Sequence, residues 1–149
     1  MTYELRFERV IEASPEVVFD RFTEHGGQLA FYQGPEPAWI VRSHCDLRVG
    51  GEWNVEFGPA EDQLYRHRHV FKAIERPHRI WMTTTETRLD GSSFETEMEF
   101  VFEDDGADRT RLTLHHKGFP TPELRDEHSR GLPEAFGQFD RVVRLKSTY

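Results

Sequence analysis

The sequence predicts an α+β domain in which a curved antiparallel sheet of about seven strands wraps around a long C-terminal helix, with two short helices after the first strand. Three observations predict it. Phe94, Thr96, Met98, Phe100 and Phe102 alternate with Glu95, Glu97, Glu99 and, after a gap, Glu103, the period of a strand with one wet face. Further extended segments succeed one another, parted by short turn sequences such as ERPH, LDGS and DDGAD. Near the end the period changes: Leu132, Phe136, Phe139, Val142, Val143 and Leu145 recur at helical spacing, the only large apolar element left to cover the dry face.

Taken in order, Tyr3 to Glu12 opens the sheet. Tyr3, Leu5 and Phe7 share one face and Glu4, Arg6 and Glu8 the other, and the alternation slips by one residue near Val10 and Ile11, as a bulge allows. Ser14-Pro15-Glu16 starts a helix, because it offers an oxygen to a free amide, a proline where no donor is missed and an acid at the positive end. Val17, Val18, Phe19 and Phe22 give this helix an apolar stripe, and Gly26-Gly27 ends it. The connector QLAFYQGPEP carries Phe31-Tyr32 and has room for one or two helical turns before its Gly and Pro close it. Trp39 to Leu47 and Glu52 to Phe57 form a hairpin about Arg48-Val49-Gly50-Gly51, with Trp53, Val55 and Phe57 on one face. Leu64 to Glu75, Arg79 to Arg88, Phe94 to Asp104 and Arg109 to Lys117 supply four more strands. Thr121-Pro122-Glu123 is a cap sequence, while Gly131 and Pro133 predict a kink or split, which puts the covering helix from about Leu132 to Lys146. With no repeat, low-complexity tract or linker, residues 1–149 read as one domain.

Composition narrows the function. The chain has 149 residues and an aromatic fraction of 13% that includes twelve Phe, so its apolar volume comes in large flat side chains whose packing leaves room for a guest. A net charge of -8 makes the surface repel nucleic acid and anionic membranes. The lone Cys45 excludes an internal disulfide and fits a reducing compartment. The opening MTYELRFERVIEA lacks a basic start followed by an apolar run, and no stretch is long enough to span a bilayer, so the expected location is cytoplasmic.

Four segments, in order, carry a family likeness: ASPEVVFDRFTE after the first strand, DLRVGGEW at the first hairpin, ERPHRIWMT at a later one, and RTRLTLHHKGF before the last helix. Through them the chain resembles, over nearly its whole length, the activator of heat-shock-protein-90 ATPase homologues, within the START-related, pollen-allergen-like and polyketide-cyclase superfamily. The resemblance implies a helix-grip fold with a cavity between the sheet and the C-terminal helix, and a chaperone partner on that ground alone. The chain departs from the family at Phe31-Tyr32, where two tryptophans are usual, at His69, where a small residue is usual, and at Gly131-Leu132-Pro133, where Gly-Trp is usual. These changes surround the expected cavity, so no relative's ligand is carried over.

The candidate site follows from that cavity. In Tyr65-Arg66-His67-Arg68-His69-Val70-Phe71 the family pattern turns Phe71 inward, and period two then places Tyr65, His67 and His69 on the same face. Hydrogen-bonded wall residues are the simpler reading of both imidazoles; a proton carrier is the sharper one. Glu86 shares its face with Ile80, Met82 and Thr84 and is a third acid/base candidate, although its place near a strand end suits plain solvation. The expected ligand-binding set is Phe31, Tyr32, Trp53, Tyr65, His67, His69, Phe71, Met82, Thr84, Met98, Phe100, Phe136 and Phe139. No metal or cofactor is expected: His67 and His69 could chelate, but spacing supplies no third ligand, and His115 and His116 point to opposite faces. Cys45 lacks a nucleophile signature and reads as a small buried hydrophobe, Gly50-Gly51 is turn chemistry, and the glutamate run is a solvated face. Three functions stay open: binding of a small apolar or amphipathic molecule, a cyclase or hydratase using an inward histidine, and a chaperone co-factor. A homodimer is left open as well.

Overall fold

The computed structural model describes residues 1–34 and 36–147, and Pro35 of the predicted connector lies outside them. The first strand, β1 (Tyr3–Ile11), alternates without the predicted slip. Leu5 and Ile11 are buried, Val10 is exposed, and the register with the last strand runs unbroken from Glu4↔Lys117 to Ile11↔Thr110, the irregularity falling between Tyr3 and Glu4 instead. The inward place between Phe7 and Ile11 belongs to Arg9, whose guanidinium donates to Asp140 at 3.0 Å. A paired charge on an inward position is what breaks the apolar pattern while the backbone stays in step.

Helix α1 (Pro15–Thr23) begins as the sequence predicts, with the Ser14 hydroxyl accepting from the Val17 amide at 3.4 Å. Its end differs from expectation. The chain turns at Glu24, and Gly26-Gly27 lie inside a second helix, α2 (His25–Tyr32). A Cβ on Gly27 would sit 1.8 Å from the Arg21 carbonyl oxygen, so this glycine permits the close approach of α2 to the end of α1 rather than stopping a helix.

Six strands follow: β2 (Ile40–Cys45), β3 (Glu52–Ala60), β4 (Gln63–Glu75), β5 (Arg79–Thr87), β6 (Ser93–Asp104) and β7 (Thr110–Phe119). All neighbours are antiparallel and the sheet order is β1-β7-β6-β5-β4-β3-β2, so the N-terminal strand closes on the last one. The β2–β3 turn uses Gly50 at φ +85°, and the Gly50 amide and Gly51 carbonyl clamp Phe71 of β4 at 2.9 and 3.0 Å. On β6, Thr96, Met98, Phe100 and Phe102 are buried and Glu95, Glu97 and Glu103 exposed, the predicted register.

The chain ends in α3 (Pro122–Ser147), a single helix that starts ten positions before the predicted Leu132. The Thr121 hydroxyl caps it by accepting from the Leu124 amide at 3.2 Å, and Pro133 lies within it without splitting it. A helical proline removes one backbone bond, and here the packing of Leu124, Leu132, Phe136, Phe139 and Val143 into the core holds the two sides together. Leu145, assigned to that stripe from its spacing, is exposed, so among the described residues the last buried position of the stripe is Val143. Phe22 of α1 ties the layers: its ring centroid lies 4.5 Å from Phe100, 5.7 Å from Phe139 and 5.8 Å from Trp53. Full burial of each such side chain is worth about 1.5–3 kcal/mol. The result is the α+β helix-grip arrangement that the sequence predicts, with the sheet curved over a long C-terminal helix.

Candidate functional site

Between α2, strands β3–β7 and the first half of α3 the core leaves a pocket of about 300 Å³. Phe31, Trp39, Phe57, Met98, Leu132 and Ala135 give it apolar walls, while Tyr32, His67, Glu86, His116 and His128 bring polar groups to the same space. The pocket sits where α3 carries smaller residues; further along, Phe136 and Phe139 fill the space completely.

The polar groups form one connected cluster around Glu86. Its Oε1 lies 2.9 Å from His67 Nε2 and 2.6 Å from His128 Nε2. Its Oε2 is buried without a hydrogen-bond partner and lies 3.7 Å from His116 Nε2. Glu86 is only 2% exposed, which overturns the reading of it as a solvated strand-end residue. Period two puts it on the inner face, and the end of β5 is covered there by α3. A carboxylate so deep needs cationic or donor partners to stay charged. Burial by itself raises its pKa, but His67 and then His128 outweigh burial and hold the carboxyl well below the usual range.

The histidines are fixed from behind. His128 Nδ1 lies 2.8 Å from the Leu124 carbonyl oxygen, which can only accept, so Nδ1 carries the proton. His67 Nδ1 and His69 Nε2 each lie 2.8 Å from the Tyr32 hydroxyl, and His69 Nδ1 lies 2.8 Å from Thr84 Oγ1. One phenol proton serves both rings if His67 Nδ1–H donates to Tyr32, Tyr32 donates to His69 Nε2, and His69 Nδ1–H donates to Thr84. Burial pushes His69 well below the ordinary imidazole value, with His67 adding to the effect. Burial also lowers His116, to about 3, where Thr96 Oγ1 meets its Nε2 at 2.8 Å. For His128 burial works against the charged ring, yet the Glu86 hydrogen bond and charge prevail and raise its pKa.

Of the predicted ligand-binding set, Phe31, Tyr32, Tyr65, His67 and Met98 line the pocket. Trp53, His69, Phe71, Met82, Thr84, Phe100, Phe136 and Phe139 are buried in the layer around it. His69 is fully buried between Tyr32 and Thr84 with its ring against Trp53, a hydrogen-bonded core residue. Sequence reasoning missed His128, His116 and Trp39. His128 was within reach, since Leu124, His128, Leu132 and Phe136 form one i, i+4 row once the helix is started at Pro122. The Cys45 side chain is half-buried on β2, outside the pocket lining. Among the described residues no helix is long and apolar enough to cross a membrane.

A family model described as activator of Hsp90 ATPase homolog 1-like protein matches residues 12–144. The chain is also similar to several solved structures. A protein from Chromobacterium violaceum is 21% identical with a TM-score of 0.78, covering 94% of this chain and 96% of its own. The AHSA1 protein from Silicibacter pomeroyi is 24% identical with a TM-score of 0.76, covering 97% of this chain and 99% of its own. A protein from Rhizobium loti is 23% identical with a TM-score of 0.74, covering 93% and 97%. At these identities the likeness establishes the fold. No curated protein matches the chain by sequence.

Proposed function

The chain belongs to the family of activator of Hsp90 ATPase homolog 1-like proteins, and from that premise we propose that it is a binding module for a small amphipathic molecule. The observation that carries this reading is a largely apolar pocket of about 300 Å³ with a buried polar cluster on one wall. The ligand's apolar body packs on Phe31, Phe57, Met98 and Leu132, and its polar end meets His67, Glu86 and His128. Such a wall favours molecules with a polar end over purely aliphatic ones, which would leave the buried Glu86 Oε2 without a partner. A thermal-stability screen of fatty acids, aromatic polyketides and flavonoids tests it, because a ligand held by the folded state alone raises the midpoint. At least one saturable shift is expected, and it should disappear when Ala135→Trp fills the pocket. A flat response across the library removes this reading.

A second reading rests on the Glu86 pair of imidazoles: a cyclase or hydratase in which His67 or His128 moves a proton at a bound carbonyl compound. Turnover of a pocket ligand that is lost in Glu86→Gln, with binding retained, supports it; turnover indifferent to that change removes it. The chaperone co-factor role has the family description as its support, and a pull-down with the chaperone tests it.

A further inference from the structure

The Glu86 cluster has a geometry that wall residues or a simple proton carrier do not require. His128 Nδ1 is committed to the Leu124 carbonyl, so in the neutral ring the Nε2 lone pair faces Glu86 Oε1 across 2.6 Å. His67 Nδ1 meets the Tyr32 hydroxyl, and when the ring donates there its Nε2 lone pair faces the same oxygen across 2.9 Å. Two ring nitrogens and a carboxylate oxygen thus converge on one point, where ring protons or a metal ion must stand between them. Glu86 Oε2 is buried and unpartnered as well, leaving a second acceptor without a donor.

We propose that His67, Glu86 and His128 form a binding site for a divalent transition-metal ion whose remaining coordination positions open into the pocket. The three ligand atoms lie within 4.8 Å of one another, and small ring movements bring each to the distance of about 2.0–2.2 Å that zinc takes with imidazole and carboxylate. Two histidines and one carboxylate occupy one face of the ion, the set that leaves sites free for water or an exogenous ligand. The back-side bonds are the outer supports that metal-binding imidazoles take: the Leu124 carbonyl fixes the His128 tautomer, and the Tyr32 hydroxyl orients the His67 ring so that Nε2 points at the site. The ligands come from β4, β5 and α3, so the ion would tie the C-terminal helix to the sheet beside the pocket. An amphipathic molecule with an oxygen donor at its polar end, such as a carboxylate, enolate or phenolate, would complete the coordination. The ion itself does not depend on the proposed organic ligand.

The test is a titration of chelator-treated full-length protein with Co²⁺ and Zn²⁺, no organic ligand being present, so that its outcome is independent of the library screen. One equivalent per chain is expected, with visible d–d absorption from Co²⁺ that Zn²⁺ displaces and a Zn²⁺-dependent rise in melting temperature. Glu86→Gln and His128→Ala should weaken binding at least a hundredfold, and Tyr32→Phe, which removes the hydroxyl behind His67 and His69 without touching Glu86 or His128, by about 10–100-fold. His115→Ala, on the outer sheet face, serves as the control and should leave affinity unchanged. Absence of saturable binding by wild type overturns the proposal. So does affinity that survives in both Glu86→Gln and His128→Ala, which would mean an adventitious surface ion. Glu86→Gln preserves side-chain volume and supplies the decisive variant should His128→Ala fail to fold.

Discussion

At the scale of single residues, what distinguishes this chain is the number of imidazoles taken out of water. In the unfolded chain His69 and His116 both titrate near 6.5. Folding depresses both, His116 to about 3, because burial penalises the charged ring. Below pH 6.5 the unfolded chain therefore takes up protons that the native chain refuses, so stability falls with falling pH, by up to about 1.4 kcal/mol per pH unit for each ring. The raised His128 does not cancel this slope: its contribution is complete below the unfolded value and is lost only as pH rises through its folded one. Glu86, depressed in the native state, adds loss of the same sign only at carboxylate pH. Urea melts with a chelator present should show stability declining from about pH 6.5 towards 4, and His116→Gln should flatten the decline by one proton's worth. A wild type equally stable at pH 7 and pH 5 contradicts the burial of both rings.

At the scale of elements, α3 does two jobs along its length. Its second half is packing: Phe136 and Phe139 are fully buried, against Phe7 at 4.8 Å and Phe22 at 5.7 Å between ring centroids. Replacing Phe139 with Ala should cost about 3–5 kcal/mol, because its neighbours, the Phe22 ring and the α2 backbone at Gly27, are held in packed helices and cannot collapse into the space. Denaturant melts measure this, and an unaltered midpoint means that another face of the helix is buried. The first half is the site. There Leu124, His128 and Leu132 follow the same inner row, but the side chains are smaller or polar, so they leave the space over the sheet unfilled and the pocket remains.

At the scale of the molecule, the sheet joins its first strand to its last. β1 pairs only with β7 among the sheet strands, from Tyr3 opposite Phe119 to Ile11 opposite Thr110, so its docking must wait until the intervening strands are ordered or must close a loop of about a hundred residues. Refolding after a denaturant jump is expected on the order of milliseconds to seconds, as for other sheets dominated by distant pairings. Relaxation completed within about 100 μs would show that the β1–β7 pairing is not needed for the probe's signal.

The sequence by itself determined the elements and the faces they bury. Alternation on β6 and the Ser14-Pro15-Glu16 cap are local, and each reads correctly because backbone period and capping chemistry act over a few residues. Period two likewise turns His67, His69 and Glu86 inward, because the pleat alternates faces whatever lies above it. Where the local pattern misleads, the deciding contact is made in three dimensions. Arg9 keeps its inward place because Asp140 waits on α3, Gly27 is a contact with Arg21 rather than a helix stop, and Pro133 is tolerated because both flanks are packed. Only the tertiary structure decided that Glu86 is buried and that His128, forty-two positions away, closes on it. A carboxylate's environment is made by whatever covers it, and here the cover is a helix whose position relative to the strand no local pattern encodes.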